Sequence, residues 1–229
     1  MKVIINQVSA VALAGILLGC ATATPVQKAE IKPVQPIPIG AQPSAVQLHR
    51  IVTKLPVDEV LGESRSGIAC EQNRPIVWKG GSINLSQQEL LEIFRKELQD
   101  ANYVVVGDPF ALFDDQEGWK AEYLVGGVVD KLQVNTCAPE RNPYRIKGGS
   151  FMSVLWQVYA RREGKIVYET RTEGSYQIDE FGPEGVSFYM RNAFDVNVRN
   201  LLADSGFRDL MLKKEGGKRT RPQPSDEKI

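Results

Sequence analysis

The stretch from Ala121 to Ile178 constrains the fold most, because it is strand-like almost throughout and its last connection is very short. Tyr123 to Val134 reads as one long strand or two short ones, with Gly126 and Gly127 marking a bulge or bend. Phe151 to Ala160 and Lys165 to Ile178 follow as two further runs. Arg161-Arg162-Glu163-Gly164 between them has the length of a hairpin turn, with glycine near its end. Strands joined by so short a turn must run antiparallel. In the first of these two runs Met152, Val154, Trp156 and Val158 alternate with Ser153, Gln157 and Tyr159. One face is therefore expected to be buried and the other mixed.

A buried sheet face needs a cover, and two helical stripes supply it. Ser86-Gln-Gln-Glu89 is a capping box: the Ser86 hydroxyl accepts from the Glu89 amide, and the carboxylate accepts from the Ser86 amide. Leu85 and Leu90 stand in hydrophobic-staple positions. Leu90, Leu91, Phe94, Leu98 and Ala101 recur at helical spacing, which predicts a helix over about 87–101. Near the C-terminus, Phe181-Gly182-Pro183-Glu184 introduces a second helix, since proline is tolerated in a first turn. Val186, Met190, Ala193, Phe194, Val198, Leu201 and Leu202 share one stripe, and Gly206 is the expected stop. The predicted class is α+β: a mainly antiparallel sheet with two helices packed on one face.

The remaining segments are less regular. Leu48 to Val52 is a plausible first strand, and Ile68 and Ile76-Val77-Trp78 supply further extended pieces. Tyr103 to Val106 reads as a buried strand stopped by Gly107-Asp108-Pro109. Asp114, Asp115 and Glu117 suggest a cation loop, but the alternating oxygen spacing of a calcium loop is missing, so a solvated loop is expected. Pro25, Pro33, Pro36, Pro38 and Pro43 give residues 20–46 the composition of a semi-rigid spacer. Residues 47–212 then form a single domain. Residues 213–229, with six basic and three acidic side chains, read as a disordered charged tail.

The first residues set the compartment. Lys2 is followed by an apolar stretch from Val8 to Leu18, which predicts a signal peptide over residues 1–19. The stretch is too short for a spanning helix, which needs about 20 apolar residues. It ends in Leu17-Leu18-Gly19-Cys20, which resembles the bacterial lipobox. That resemblance covers only the first 20 residues. It implies cleavage before Cys20, acylation of its sulfur and new amino group, and a membrane partner held through the N-terminal lipid. Two or three acyl chains anchor stably where one is marginal. Ala21, rather than aspartate, follows the cysteine, and in the family this points to the outer membrane, with the domain facing the periplasm.

In that oxidising compartment the other two cysteines, Cys70 and Cys137, are expected to form a disulfide. The alternative is two unpaired thiols. Neither has the Cys-x-x-Cys spacing of a zinc or redox site.

Charge and motifs argue against several functions. The chain has 28 basic and 28 acidic residues, so no global field draws nucleic acid. His49 is the single histidine, which leaves catalytic triads and zinc sites short of members. No phosphate loop and no dinucleotide fingerprint is present, so no cofactor or metal is expected. Tyr159, Tyr168 and Tyr176 fall on the predicted hairpin, either as contact residues or as sheet-stabilising pairs. The element order over residues 48–210 loosely resembles the auxiliary lipoproteins of ABC-type transport systems. That resemblance implies a non-enzymatic binding or assembly module with an envelope protein as partner. Two alternatives stand: a periplasmic hydrolase using paired carboxylates, and a cell-wall-binding lipoprotein.

Overall fold

The structure is a computed structural model that describes residues 24–67, 69–80, 86–108, 111, 115–139 and 144–212. Six strands form one sheet: β1 (Val46–Thr53), β2 (Val60–Ser66), β3 (Gln72–Val77), β4 (Tyr123–Ala138), β5 (Ile146–Ala160) and β6 (Lys165–Gly182). Three helices accompany them: α1 (Gln87–Asp100), α2 (Val186–Leu202) and α3 (Ser205–Leu212). The class is α+β. The strand order is β3-β2-β4-β5-β6, with β1 also beside β4. β4 to β6 are antiparallel neighbours, as the short hairpin turn requires. β1 and β2 lie in series along the other edge of β4, both parallel to it. β1 pairs with Tyr123–Val129 and β2 with Val134–Ala138.

β4 is one unbroken strand with two irregularities: its pairing with β1 shifts register opposite Gly126 and Gly127, between Leu48 and Ile51, and its pairing with β5 shifts between Val129 and Lys131. Gly127 has a packing reason as well: a Cβ there would sit 2.9 Å from Ile51 and 3.2 Å from Trp156. Trp156 is fully buried at the centre of the core, its ring 5.4 Å from Phe94 of α1 and 5.9 Å from Phe194 of α2. Its indole N–H donates to the Thr172 hydroxyl at 2.7 Å. That hydroxyl donates to Asn197, whose amide donates to the Met152 carbonyl at 2.9 Å. Strands β5 and β6 and helix α2 are thus joined by a buried polar chain with its members paired, which favours one packing over others. Gly174 makes this possible, because a Cβ there would lie 2.0 Å from the Ala193 carbonyl.

The capping box forms, with Ser86 and Glu89 bonded reciprocally. Leu85 of the predicted staple lies outside the described residues, as do Ile68, Asp114 and the tail from Lys213.

Three expectations need correction. Tyr103 to Val106 is not a strand: Val105 makes only an isolated bridge to Val46, and Val104 points outward. It bonds to β1 at Val46 alone, through the Val104 carbonyl and the Val106 amide, and Gly107 at φ 77° turns the chain away before a ladder can extend. Gly206 does not end the second helix. α2 closes at Leu202, and Gly206 lies inside α3, where the ring of Tyr168 would stand 2.9 Å from a Cβ.

The third concerns the spacer. Residues 24–45 lie along the domain as a hydrogen-bonded strap. Val26 and Ile37 are 5% and 1% exposed. The Gln27 amide donates to the Gln133 side chain at 2.8 Å, and the Ala29 amide to the Ser175 hydroxyl at 2.9 Å. The strap then passes to the helical side, where Asn200 of α2 accepts from the Lys32 amide and donates to the Glu30 carbonyl. The Ile37 amide reaches the Ala101 carbonyl at 2.9 Å. Proline removes N–H groups from this segment, and several that remain are paired with the domain.

Candidate functional site

Cys20 lies outside the described residues. The other two cysteines meet at one end of the sheet. Cys137 is near the end of β4, and Cys70 sits in the β2–β3 turn at φ 54°. Their Cα atoms are 5.7 Å apart, their sulfurs are bonded, and Phe181 from β6 packs against the pair. The bond closes a loop with a sequence separation of 67 residues.

The same end holds the start of the strap. Asn135 of β4 accepts from the Glu63 amide of β2 at 3.0 Å and donates to the Pro25 carbonyl at 3.3 Å. Thr24 donates to Glu63 at 3.1 Å, and Arg65 pairs with the same carboxylate at 2.7 Å. These bonds hold the Glu63 carboxyl below the usual carboxylate range, the Arg65 hydrogen bond most of all.

Among the described residues, the opposite end of the sheet is open. On the face away from the helices, Leu124, Val128 and Leu155 are half-buried, and Tyr159 and Ile166 are exposed. The register aligns Gln47, Leu124, Tyr159 and Ile166 in one row across β1, β4, β5 and β6. Trp119, 69% exposed, stands beside this row. The Arg161 guanidinium lies 5.8 Å from its ring centre and also donates to Gln47 at 2.6 Å. Gln47 in turn donates to Asp115. The tryptophan is therefore placed by a chain of polar contacts.

Tyr168 and Tyr176 from the same hairpin take the other face and pack against Phe207 and Phe188. Of the three hairpin tyrosines, Tyr159 alone is exposed. Trp78 and Trp156 are core residues. Only the register distinguishes these roles, and the bulge between Val158 and Tyr159 sets it.

His49 is an exposed residue of β1. Burial first, then Arg50 and Arg161, lower its pKa. Among the described residues, no three His, Cys, Asp or Glu side chains converge in the manner of a metal site.

One carboxylate pair bears on the hydrolase alternative, although the sequence singled out neither member. Asp195 of α2 shares a side-chain hydrogen bond with Glu97 of α1. Burial, and then the charge of Glu97, push Asp195 up to about 6. A depression of about 420 Å³ lies alongside, lined by Glu97, Lys96, Asp100 and Arg199, and by Val34 and Pro36 of the strap. A second, of about 540 Å³, lies at α3, beside Tyr168 and Asp209. No sequence signal marks the carboxylate pair, because its members lie on different helices nearly 100 positions apart.

No family model and no curated protein matches the sequence. Solved structures share a partial likeness. Protein XCC0632 from Xanthomonas campestris, of family DUF330, is 8% identical with a TM-score of 0.36, over 81% of this chain and 95% of that one. The LpoB C-terminal domain from Salmonella enterica is 12% identical with a TM-score of 0.31, over 61% and 87%. Lipoprotein GNA1162 from Neisseria meningitidis is 9% identical with a TM-score of 0.34, over 65% and 91%. Likeness of this degree carries no functional argument, and the function has to be sought in the residues themselves.

Proposed function

We propose that the chain is an envelope lipoprotein, cleaved before Cys20, lipidated there and held at the periplasmic side of the outer membrane. Its domain serves as a non-enzymatic binding or assembly module for another envelope protein. Cys70 and Cys137 form a disulfide in that compartment. The anchor rests on Leu17-Leu18-Gly19-Cys20. The binding role rests on one observation: the open sheet face around Leu124, Leu155 and Tyr159, with Trp119 positioned at its edge. Aromatic and arginine side chains on a partly apolar surface are the composition of an interface core.

The hydrolase reading has its own observation, the Glu97–Asp195 pair, and geometry opposes it. Glycosidase carboxyl groups stand roughly 5–9.5 Å apart so that a sugar or a water fits between them. These two are in direct hydrogen bond, and the strap flanks them. Their contact joins α1 to α2, which is a structural use.

Crosslinking in intact cells through a photoreactive residue at position 159 tests the proposal. A stoichiometric envelope protein captured there is the expected result. Capture that is as efficient from a site on the exposed side of α1 refutes the assigned face. Replacing Cys20 with Ser should move the protein from the membrane to the soluble fraction, and continued membrane association refutes the anchor.

A further inference from the structure

The docked strap changes what the lipid anchor can do. A spacer of 26 residues in polyproline II would reach roughly 80 Å and leave the domain free of the membrane. Instead, the chain is fixed to the domain from Thr24 onward, through Glu63, Asn135, Gln133 and Ser175. Only three residues lie between Cys20 and Thr24, four Cα–Cα steps, a span of at most about 14 Å. From this reach we infer that the end of the sheet closed by Cys70 and Cys137 sits against the lipid headgroups, and that the Trp119–Arg161 end points away from the membrane. The inference rests on the lipidated-Cys20 reading.

The occupant of this surface is the phospholipid layer holding the acyl chains. Tyr144, just before β5 and 86% exposed, lies at that end. A tyrosine suits the headgroup level, where an aromatic body with a polar tip is favoured. Arg145 and Lys147 follow it, and Asp179 and Glu180 approach from β6, which pairs with the start of β5. This mixed charge gives little net electrostatic pull, so contact is imposed by the short link rather than by anionic lipid. The far end lies twelve residues along β4, from Asn135 back to Tyr123, roughly 40 Å at strand rise. The open aromatic face is then presented at a depth where a periplasmic partner meets it without competition from the bilayer.

Energy transfer tests this on the intact lipidated protein, reconstituted in phosphatidylethanolamine–phosphatidylglycerol vesicles carrying acceptor-labelled headgroups. A donor amino acid is placed at position 144 or at position 163 in the β5–β6 turn. Transfer from 144 should exceed transfer from 163 several-fold. Inserting twenty Gly/Ser residues between Cys20 and Thr24 should bring the two values together. Equal transfer from both positions in the uninserted, vesicle-bound protein overturns the inference while leaving the anchor standing. Protein that does not associate with vesicles at all overturns both. Replacing phosphatidylglycerol with a neutral lipid should leave the ratio unchanged, and its collapse would show that charge, rather than the short link, sets the orientation.

Discussion

The two ends of β4 are built on different plans. At the Asn135–Cys137 end, each neighbour is tied to another. The disulfide joins β4 to the β2–β3 turn, Asn135 bridges β2 and the strap, and Glu63 gathers Thr24 and Arg65. At the Tyr123–Val128 end, the core face is equally well packed, but the outer face carries half-buried leucine and valine with no helix above it among the described residues. Polar bonds at the first end connect chain to chain. Polar bonds at the second, from Asp115 through Gln47 to Arg161, position a single exposed ring. The contrast teaches that cross-ties are concentrated where the strap enters the domain at Thr24, and partly apolar surface is kept at the other end.

The largest expected effect breaks the closed end. Replacing Cys70 and Cys137 together with Ser should lower unfolding free energy by about 4 kcal/mol for a loop of this length. Denaturant titration measures it, alongside the wild type in reductant. Hydrogen exchange should accelerate most around β2 and β3 and least at Tyr123–Val128. Uniform acceleration would mean that the two ends are one cooperative unit and that the contrast is not energetic.

A smaller loss, about 2 kcal/mol, is expected for Asn135→Ala. The substitution strips the Glu63 amide and the Pro25 carbonyl of their partner at once. The Glu63 amide is the reporter, because its bond goes to this side chain. Unchanged exchange at Glu63 would remove Asn135 from its bridging role.

These ends were unequally legible in the sequence. The hairpin β5–β6, the capping box at Ser86 and the stripes of α1 and α2 could be read because each depends on short-range periodicity or turn chemistry. The strap could not. Val26 and Ile37 are single apolar residues among prolines, without a period, and their burial depends on side chains more than 60 positions away. Gly206 was misleading because glycine serves equally as a helix stop and as a point of close approach, here to Tyr168. The valines after Tyr103 carry strand propensity, yet Gly107 turns the chain away after a single bridge to Val46. The exposed site was half-visible: the three hairpin tyrosines stood out, but one bulge decides which of them faces solvent.

The strap links the closed end to the helical layer, and one substitution there should stabilise. Asp195, raised to about 6, is protonated more readily folded than unfolded. Its charged form therefore costs stability above pH 6, and the cost fades as pH falls from 6 toward 4. Lys96 and Arg199 nearby soften it. Asp195→Asn should add about 1 kcal/mol at pH 8, after allowance for solvent screening, and close to nothing at pH 4. Thermal melts across that range measure it. Stabilisation that is constant with pH would assign the gain to packing instead of charge. If the pair were catalytic, the same substitution would abolish function; as a contact between α1 and α2 it should leave partner capture intact.

The smallest effect on stability belongs to the open end, and it carries the functional half of the comparison. Trp119 is 69% exposed and touches Arg161 through its ring face. Its replacement by Ala removes little buried area, so unfolding free energy should move by less than about 0.5 kcal/mol. Crosslinking from position 159 should nevertheless fall several-fold, since truncating an aromatic hot spot typically costs an interface about 2 kcal/mol or more. Arg161→Lys is the finer probe. It keeps the charge but gives up the planar stacking and the fork that holds Gln47. An intermediate loss in this variant would show that the partner reads the placed ring rather than the positive charge. Full retention in both variants would move the contact off Trp119 to the Leu124–Leu155 row, leaving the open end as the interface but shifting its centre.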